Sequence, residues 1–152
     1  GMIFIDGSHI RYRFDYGGRS VVVSGDTRPC PNLVTQARGA DVLVHEAQAN
    51  AIVHIMEEAA RAAGESRIAK ILGDIPSYHS SPADAAREAV TAGVRLLVFT
   101  HFTPPPDNPL LVRIFQRDVD RVPPRGLVFG EDGTLIVLPK GSDAVDVTRL
   151  DP

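Results

Sequence analysis

Val94–Thr100 is a nearly unbroken apolar run that starts just after Gly93 and stops shortly before three consecutive prolines, Pro104 to Pro106. A run this short and this apolar reads as a strand buried on both faces, which requires other elements layered above and below it. Its flanks meet that requirement. Ser81-Pro82-Ala83-Asp84 sets a capping serine, a proline at the first helical position and an acid at the third, opening a helix that Gly93 closes. The prolines force a loop, and a second helix is expected from Pro109 to about Val119.

The same alternation extends upstream. Pro31–Arg38 reads as a short helix closed by Gly39, Asp41–Glu46 as an apolar strand, and Asn50–Ala63 as a helix ended by Gly64, with Ile52, Ile55, Met56, Ala59 and Ala63 on one stripe. Arg67–Leu72 fits helix or strand. Strand and helix in alternation argue for layered α/β architecture rather than a sandwich. The chain opens differently, with Met2–Ile5, Ile10–Phe14 and Ser20–Ser24 as a meander whose last turn is Asp15-Tyr16-Gly17-Gly18. At the other end, Gly126–Gly130 and Thr134–Leu138 flank Glu131-Asp132-Gly133 and are expected to pair as a terminal hairpin, with a polar, fraying tail from Gly141. Gly1 reads as a scar of tag removal, and residues 2–152 as one domain without repeats or linkers.

Composition narrows the class. With 152 residues, 43% of them hydrophobic and 23% charged, the chain can bury a core and belongs with globular proteins. A formal charge of −3 provides no global positive field for nucleic acid, and Arg11, Arg13 and Arg19, alternating with apolar residues, read as a solvated strand face. No apolar stretch reaches the roughly 18 residues a membrane span needs. The single cysteine, Cys30, makes no intrachain disulfide, which fits a reducing compartment and hence the cytoplasm.

Ligand-capable residues follow the strong strands. Ser20–Ser24 leads through Gly25 to Asp26, Val42–Val44 leads to His45 and Glu46, and Val94–Thr100 leads to His101. In open α/β sheets the carboxyl edge of the strands is where ligands bind. His79 lies just before the Ser81 cap, where the helix dipole favours the neutral ring. Taken singly each has an ordinary reading: Asp26-Thr27 as a turn, His101 and His45 as satisfied interior histidines, His54 as a helix-face residue, Cys30 as inert. His9 carries no signal.

Together they match a pattern. Val22-Val23-Ser24-Gly25-Asp26-Thr27, Val42-Leu43-Val44-His45-Glu46-Ala47, His79-Ser80-Ser81-Pro82 and Leu96-Leu97-Val98-Phe99-Thr100-His101-Phe102 resemble, in order, the motifs of the metallo-β-lactamase-fold hydrolases, in the branch of ribonuclease Z and the related arylsulfatase-like proteins. Val128–Leu135 resembles that branch's closing hairpin, and the likeness runs from about Tyr12 to Leu138. It implies the C-terminal half of an αββα fold, a mixed sheet with helices on one face. It also implies a site with two zinc ions, in which Asp26 bridges the metals and His101 is a terminal ligand, a pairing suited to ions about 3.5–4 Å apart. His79 resembles the group that protonates the leaving oxygen in phosphodiester cleavage, and Glu46 the residue that orients such a histidine, with His45 beside it.

One departure limits this implication. The family's His-x-His-x-Asp-His signature, which supplies most ligands, is absent, and no two histidines here are two residues apart. Asp26 and His101 are two ligands where a catalytic zinc usually has three from protein. The expectation is therefore a hydrolase of a phosphodiester or small ester in full-length form, inactive as this chain alone. Its bare sheet face would seek the N-terminal half or, as a homo-oligomer, a second copy. Two other readings stand beside it: a non-catalytic half-domain that binds or assembles, and a flavodoxin-like phosphate-handling domain with Asp26 as phosphoacceptor, which lacks the paired acids and the strand-end lysine it would want.

Overall fold

A computed structural model describes residues 2–6, 9–120 and 124–150; Gly1 falls outside them, as does the side chain of His9. The strands are β1 (Met2–Asp6), β2 (His9–Tyr16), β3 (Arg19–Val23), β4 (Val42–Gln48), β5 (Leu96–Thr103), β6 (Leu127–Phe129), β7 (Thr134–Val137) and β8 (Asp146–Arg149). The helices are α1 (Pro31–Ala37), α2 (Asn50–Ala62), α3 (Ser66–Asp74), α4 (Pro82–Ala92) and α5 (Pro109–Val119). Six strands form one mixed sheet in sequential order β1 to β6: the first three antiparallel as a meander, β3 through β6 parallel. The layered α/β expectation holds.

The parallel half is buried for the reason its sequence gives. Alternate residues of β3, β4, β5 and β6 point to opposite faces. Val22, Leu43, Ala47, Leu97 and Phe99 meet Leu33, Ala37, Ala85, Ala86, Ala89, Phe115 and Val119 from α1, α4 and α5, which all lie on that face. Val42, Leu96 and Val98 face the other way and pack with Ile136, Leu138 and Val145. Helix α4 starts as its sequence demands: Ser81 Oγ accepts the Asp84 N–H at 3.1 Å, the Asp84 carboxylate accepts from Ser81, and Gly93 ends the helix at φ +69°. Among the described residues no helix is long and apolar enough to cross a membrane.

Four local expectations are corrected. β6 does not pair with β7. Its Leu127 and Phe129 continue the helix-side core, so β6 lies parallel to β5, and β7 pairs with β8, built from the tail expected to fray. That tail is held by charge: Arg19 donates to the carbonyls of Pro139, Ser142 and Ala144, and Arg95 pairs with Asp143 at 2.9 Å. Arg11 and Arg19 are consequently not a solvated face. Arg11 is fully buried, with Nη2 donating to Thr27 Oγ1, because β2 turns that side toward the helix layer. Finally, the stripe assigned to α2 is not the one buried. Ile52 and Val53 reach the core, while Ile55 and Met56 are exposed, since only the first turn of α2 docks and the rest packs against α3, the form that Arg67–Leu72 takes.

Asp41, at the start of β4, joins these parts. Its carboxylate accepts from Arg19 at 3.0 Å and from the Ser20 N–H at 2.8 Å, with Arg95 3.2 Å away. Burial pushes its carboxyl up, but the Arg19 and Ser20 hydrogen bonds and the two guanidinium charges outweigh this and hold it below the ordinary 3.8. A depressed folded-state pKa adds stability above the unfolded value and loses it as pH falls through the folded one. Urea midpoints should therefore fall from pH 4 downward, and Asp41→Asn should be less stable at pH 7 with a shallower acid decline. An unchanged acid limb in Asp41→Asn would refute the assignment.

Candidate functional site

The loop after β3, the end of β4, the loop before α4 and the end of β5 converge at one edge of the parallel sheet. Each contributes one of the residues singled out above: Asp26, Glu46, His79 and His101. The mutual fit begins with Thr27. Its N–H donates to Glu46 Oε1 at 2.6 Å, its side chain accepts from Arg11, and its carbonyl accepts from Ser80 Oγ at 2.5 Å. Ser80 in turn accepts the Gln48 N–H at 2.8 Å, so the β3, β4 and pre-α4 segments are tied into one frame. These ties fix the ends of the segments that carry the four side chains.

His101 is placed by an irregularity. Glu46 is paired with Thr100 and Ala47 with Phe102, leaving His101 as the extra residue of a β-bulge, at φ +45°. Bulges turn a side chain out of the strand's alternation, and a non-glycine residue in the left-handed region is retained where the surroundings impose it. The imidazole thereby leaves the sheet face and meets Asp26, with Nδ1 2.8 Å from Oδ1.

A second carboxylate–imidazole pair stands beside the first. Glu46 Oε2 is 2.7 Å from His79 Nδ1, and the His79 and His101 rings lie 6.0 Å apart. Glu46 is fully buried, and burial pushes its carboxyl up to about 7, opposed by the Thr27 N–H and the charges of His45 and His101 and reinforced by Asp26. Burial also pushes the His79 imidazole down, against the pull of Asp26. Burial thus favours the neutral form of both members of this pair. Glu46, His79 and His101 form the one group of three or more His, Cys, Asp or Glu among the described residues that could hold a metal ion, their ligand atoms within 4.8 Å of one another. This donor chemistry, two imidazoles and a carboxylate, fits zinc.

The four expected residues therefore come together, and the others do not. His45 faces the helix layer, where Nε2 lies 3.1 Å from Glu88 Oε2, and Glu88 also accepts the Cys30 N–H. Cys30 caps α1 through Sγ, which accepts the Leu33 N–H at 3.3 Å. His54 is exposed on α2 between Glu57 and Glu58. Thr27, read from the sequence as part of a turn, Ser80, noted only within its motif, and Arg11, read as a solvated strand face, form the frame on which the site is built. Their sequence signals were adjacency, Thr27 to Asp26 and Ser80 to His79. Beside His101 a cavity of about 420 Å³ opens on the second sheet face, lined by Val44, Val98, Thr100, Asp132 and Ile136 among others.

No family model matches the chain. It is 42% identical over 95 residues to ribonuclease Z of Mycobacterium avium (strain 104), a match spanning 62% of this chain and 30% of that protein. A putative ribonuclease Z of Mycobacterium tuberculosis (strain CDC 1551 / Oshkosh) is 40% identical over 95 residues, 62% of this chain and 38% of that one. The match thus covers only about a third of these relatives' length. Among solved structures, the metallo-β-lactamase fold protein YhfI from Bacillus subtilis superposes with a TM-score of 0.50 at 16% identity, covering 84% of this chain and 48% of that one. The chain has the metallo-β-lactamase fold, and over 95 of its residues it is similar in sequence to ribonuclease Z.

Proposed function

We propose that this chain carries the C-terminal part of a metal-dependent hydrolase site of the binuclear zinc type, acting on a phosphodiester or related ester. The observation that supports it best is the side-by-side placement of the Asp26–His101 and Glu46–His79 pairs at the carboxyl edge of the parallel strands. Asp26 and His101 would hold the metal, which when bound supplies an activated water and clamps the developing charge. His79 holds a proton toward the leaving oxygen, and Glu46 keeps the ring aimed and returns the proton to it. Thr27 locks the Glu46 carboxylate so that neither partner turns away.

On this reading the chain alone turns over little or nothing, and an N-terminal portion or a second copy completes the site. The exposure of Ile10, Phe14 and Tyr16 on β2 supports such a partner, and equally the second reading of an assembly module without catalysis. A reducing, cytoplasmic setting suits the lone, buried Cys30. The reading is tested by fusing the chain behind the N-terminal portion of the Mycobacterium avium relative and assaying bis(p-nitrophenyl) phosphate. Zinc-dependent turnover is expected, abolished by Asp26→Ala and slowed about 10²–10⁴-fold by His79→Ala. A folded fusion that is inactive, or one indifferent to His79→Ala, sinks it.

A further inference from the structure

We propose that the hairpin of α2 and α3 is a self-association surface, through which two copies of this chain pair about a two-fold axis parallel to the helices. The proposal goes beyond the hydrolase reading and is independent of it, since it uses none of the residues of the candidate site.

The first observation is which side of the hairpin is open. On α2 the side toward α3 is marked by the buried Val53 and by Glu57, whose carboxylate a side chain at Gly73 would meet at 3.1 Å; on α3 it is marked by the buried Ala69 and by Gly73 itself. At about 100° per residue, Ile55 and Met56 on α2, and Ile68 and Ile71 on α3, lie roughly 120° round from that side, in the same rotational sense on both helices. The chain folds back at Gly64, so the two helices run in opposite directions and equal turns bring both pairs to one side of the hairpin. All four side chains are between 42% and 63% exposed, which makes this side a bare apolar layer two helices wide.

The second observation is that the layer fits itself. Met56 lies eight residues before Gly64 and Ile71 seven after it. A copy turned by half a revolution about the hairpin's long axis therefore sets its α3 antiparallel on this α2, with Ile71 over Met56, and the four helices close as a bundle. The third observation is the charge at the rims, which selects a second copy as the occupant. Arg61 is paired with Glu57, and Lys70 with Asp74 at 2.5 Å, so these charges are spent within the hairpin. Glu58, with His54 3.5 Å away, remains on the outer edge of α2, and Arg67 on the outer edge of α3. In the two-fold arrangement each Glu58 meets the Arg67 of the other copy, about 4–5 Å apart along the axis and within reach of both side chains.

Sedimentation velocity over a concentration series tests this. The unaltered chain should sediment at twice its 16.4 kDa mass, and Ile55→Glu, at an exposed position and checked for an intact circular dichroism spectrum, as a monomer. Glu58→Arg and Arg67→Glu should each dimerise about tenfold more weakly, since each sets like charges opposite one another at both rims. An equimolar mixture of these two surface variants should recover the parent affinity, because each then supplies the charge that the other lacks. A chain that stays monomeric throughout the series overturns the proposal, as does a folded Ile55→Glu that still dimerises. A dimer lost in Phe14→Glu but kept in Ile55→Glu overturns it in favour of pairing through β2. A mixture no tighter than either variant alone overturns the two-fold arrangement.

Discussion

Phe99→Ala is expected to lose about 3–5 kcal/mol of folding stability, the usual range for removing a buried phenylalanine from a packed core. Phe99 has no exposed surface and meets Phe129 edge-on at 5.6 Å and Phe102 at 6.4 Å, while Phe102 itself stands edge-on to Phe115 at 5.3 Å. The four rings join β5 and β6 to α5, so the hole left by alanine is lined from three elements and cannot be filled by a local shift. Since a domain is stable by only about 5–15 kcal/mol, urea melts monitored by circular dichroism should show a large fall in midpoint. A loss under about 1 kcal/mol would mean that the cluster does not bear on stability as its burial implies.

Gly25→Ala should be damaging for a different reason. Gly25 sits at φ +59°, and a Cβ there would come within 2.6 Å of the Ile10 carbonyl oxygen. The left-handed backbone costs a side chain about 1–2 kcal/mol, and relieving the contact requires backbone of β2 or the loop to move, about 1–3 kcal/mol more. The neighbouring residue is Asp26, so the displacement also moves the carboxylate that holds His101. Loss of stability in the chain and loss of zinc-dependent turnover in the fused protein should appear together. Stability within 0.5 kcal/mol of the parent would show that the close approach to Ile10 is not maintained in solution.

These two positions also show what a sequence can and cannot reveal. The Ser81 cap, the Gly93 stop and the apolar run after it depend on neighbours within a few residues, and the structure matches them at α4 and β5. Strand-end polarity likewise brought Asp26, Glu46 and His101 to notice, and the position before the Ser81 cap brought His79; the four lie at one edge of the sheet. Lost were the features set by distant partners. Nothing near Arg11 in sequence announces that Thr27 receives its guanidinium, and nothing near Gly141 announces that Arg19 and Arg95 will hold the tail. The His101 bulge is of the same kind, since the extra residue is defined only against β4. The stripe on α2 failed because periodicity marks an apolar face without saying whether a sheet or another helix will meet it.

The left-handed conformation of His101 sets two kinds of selection against each other. Glycine would sit at that φ more comfortably, by about 1–3 kcal/mol, and asparagine nearly so. A library of this chain sorted for heat resistance alone should therefore enrich both at position 101, and its most robust members would be those that had discarded the imidazole.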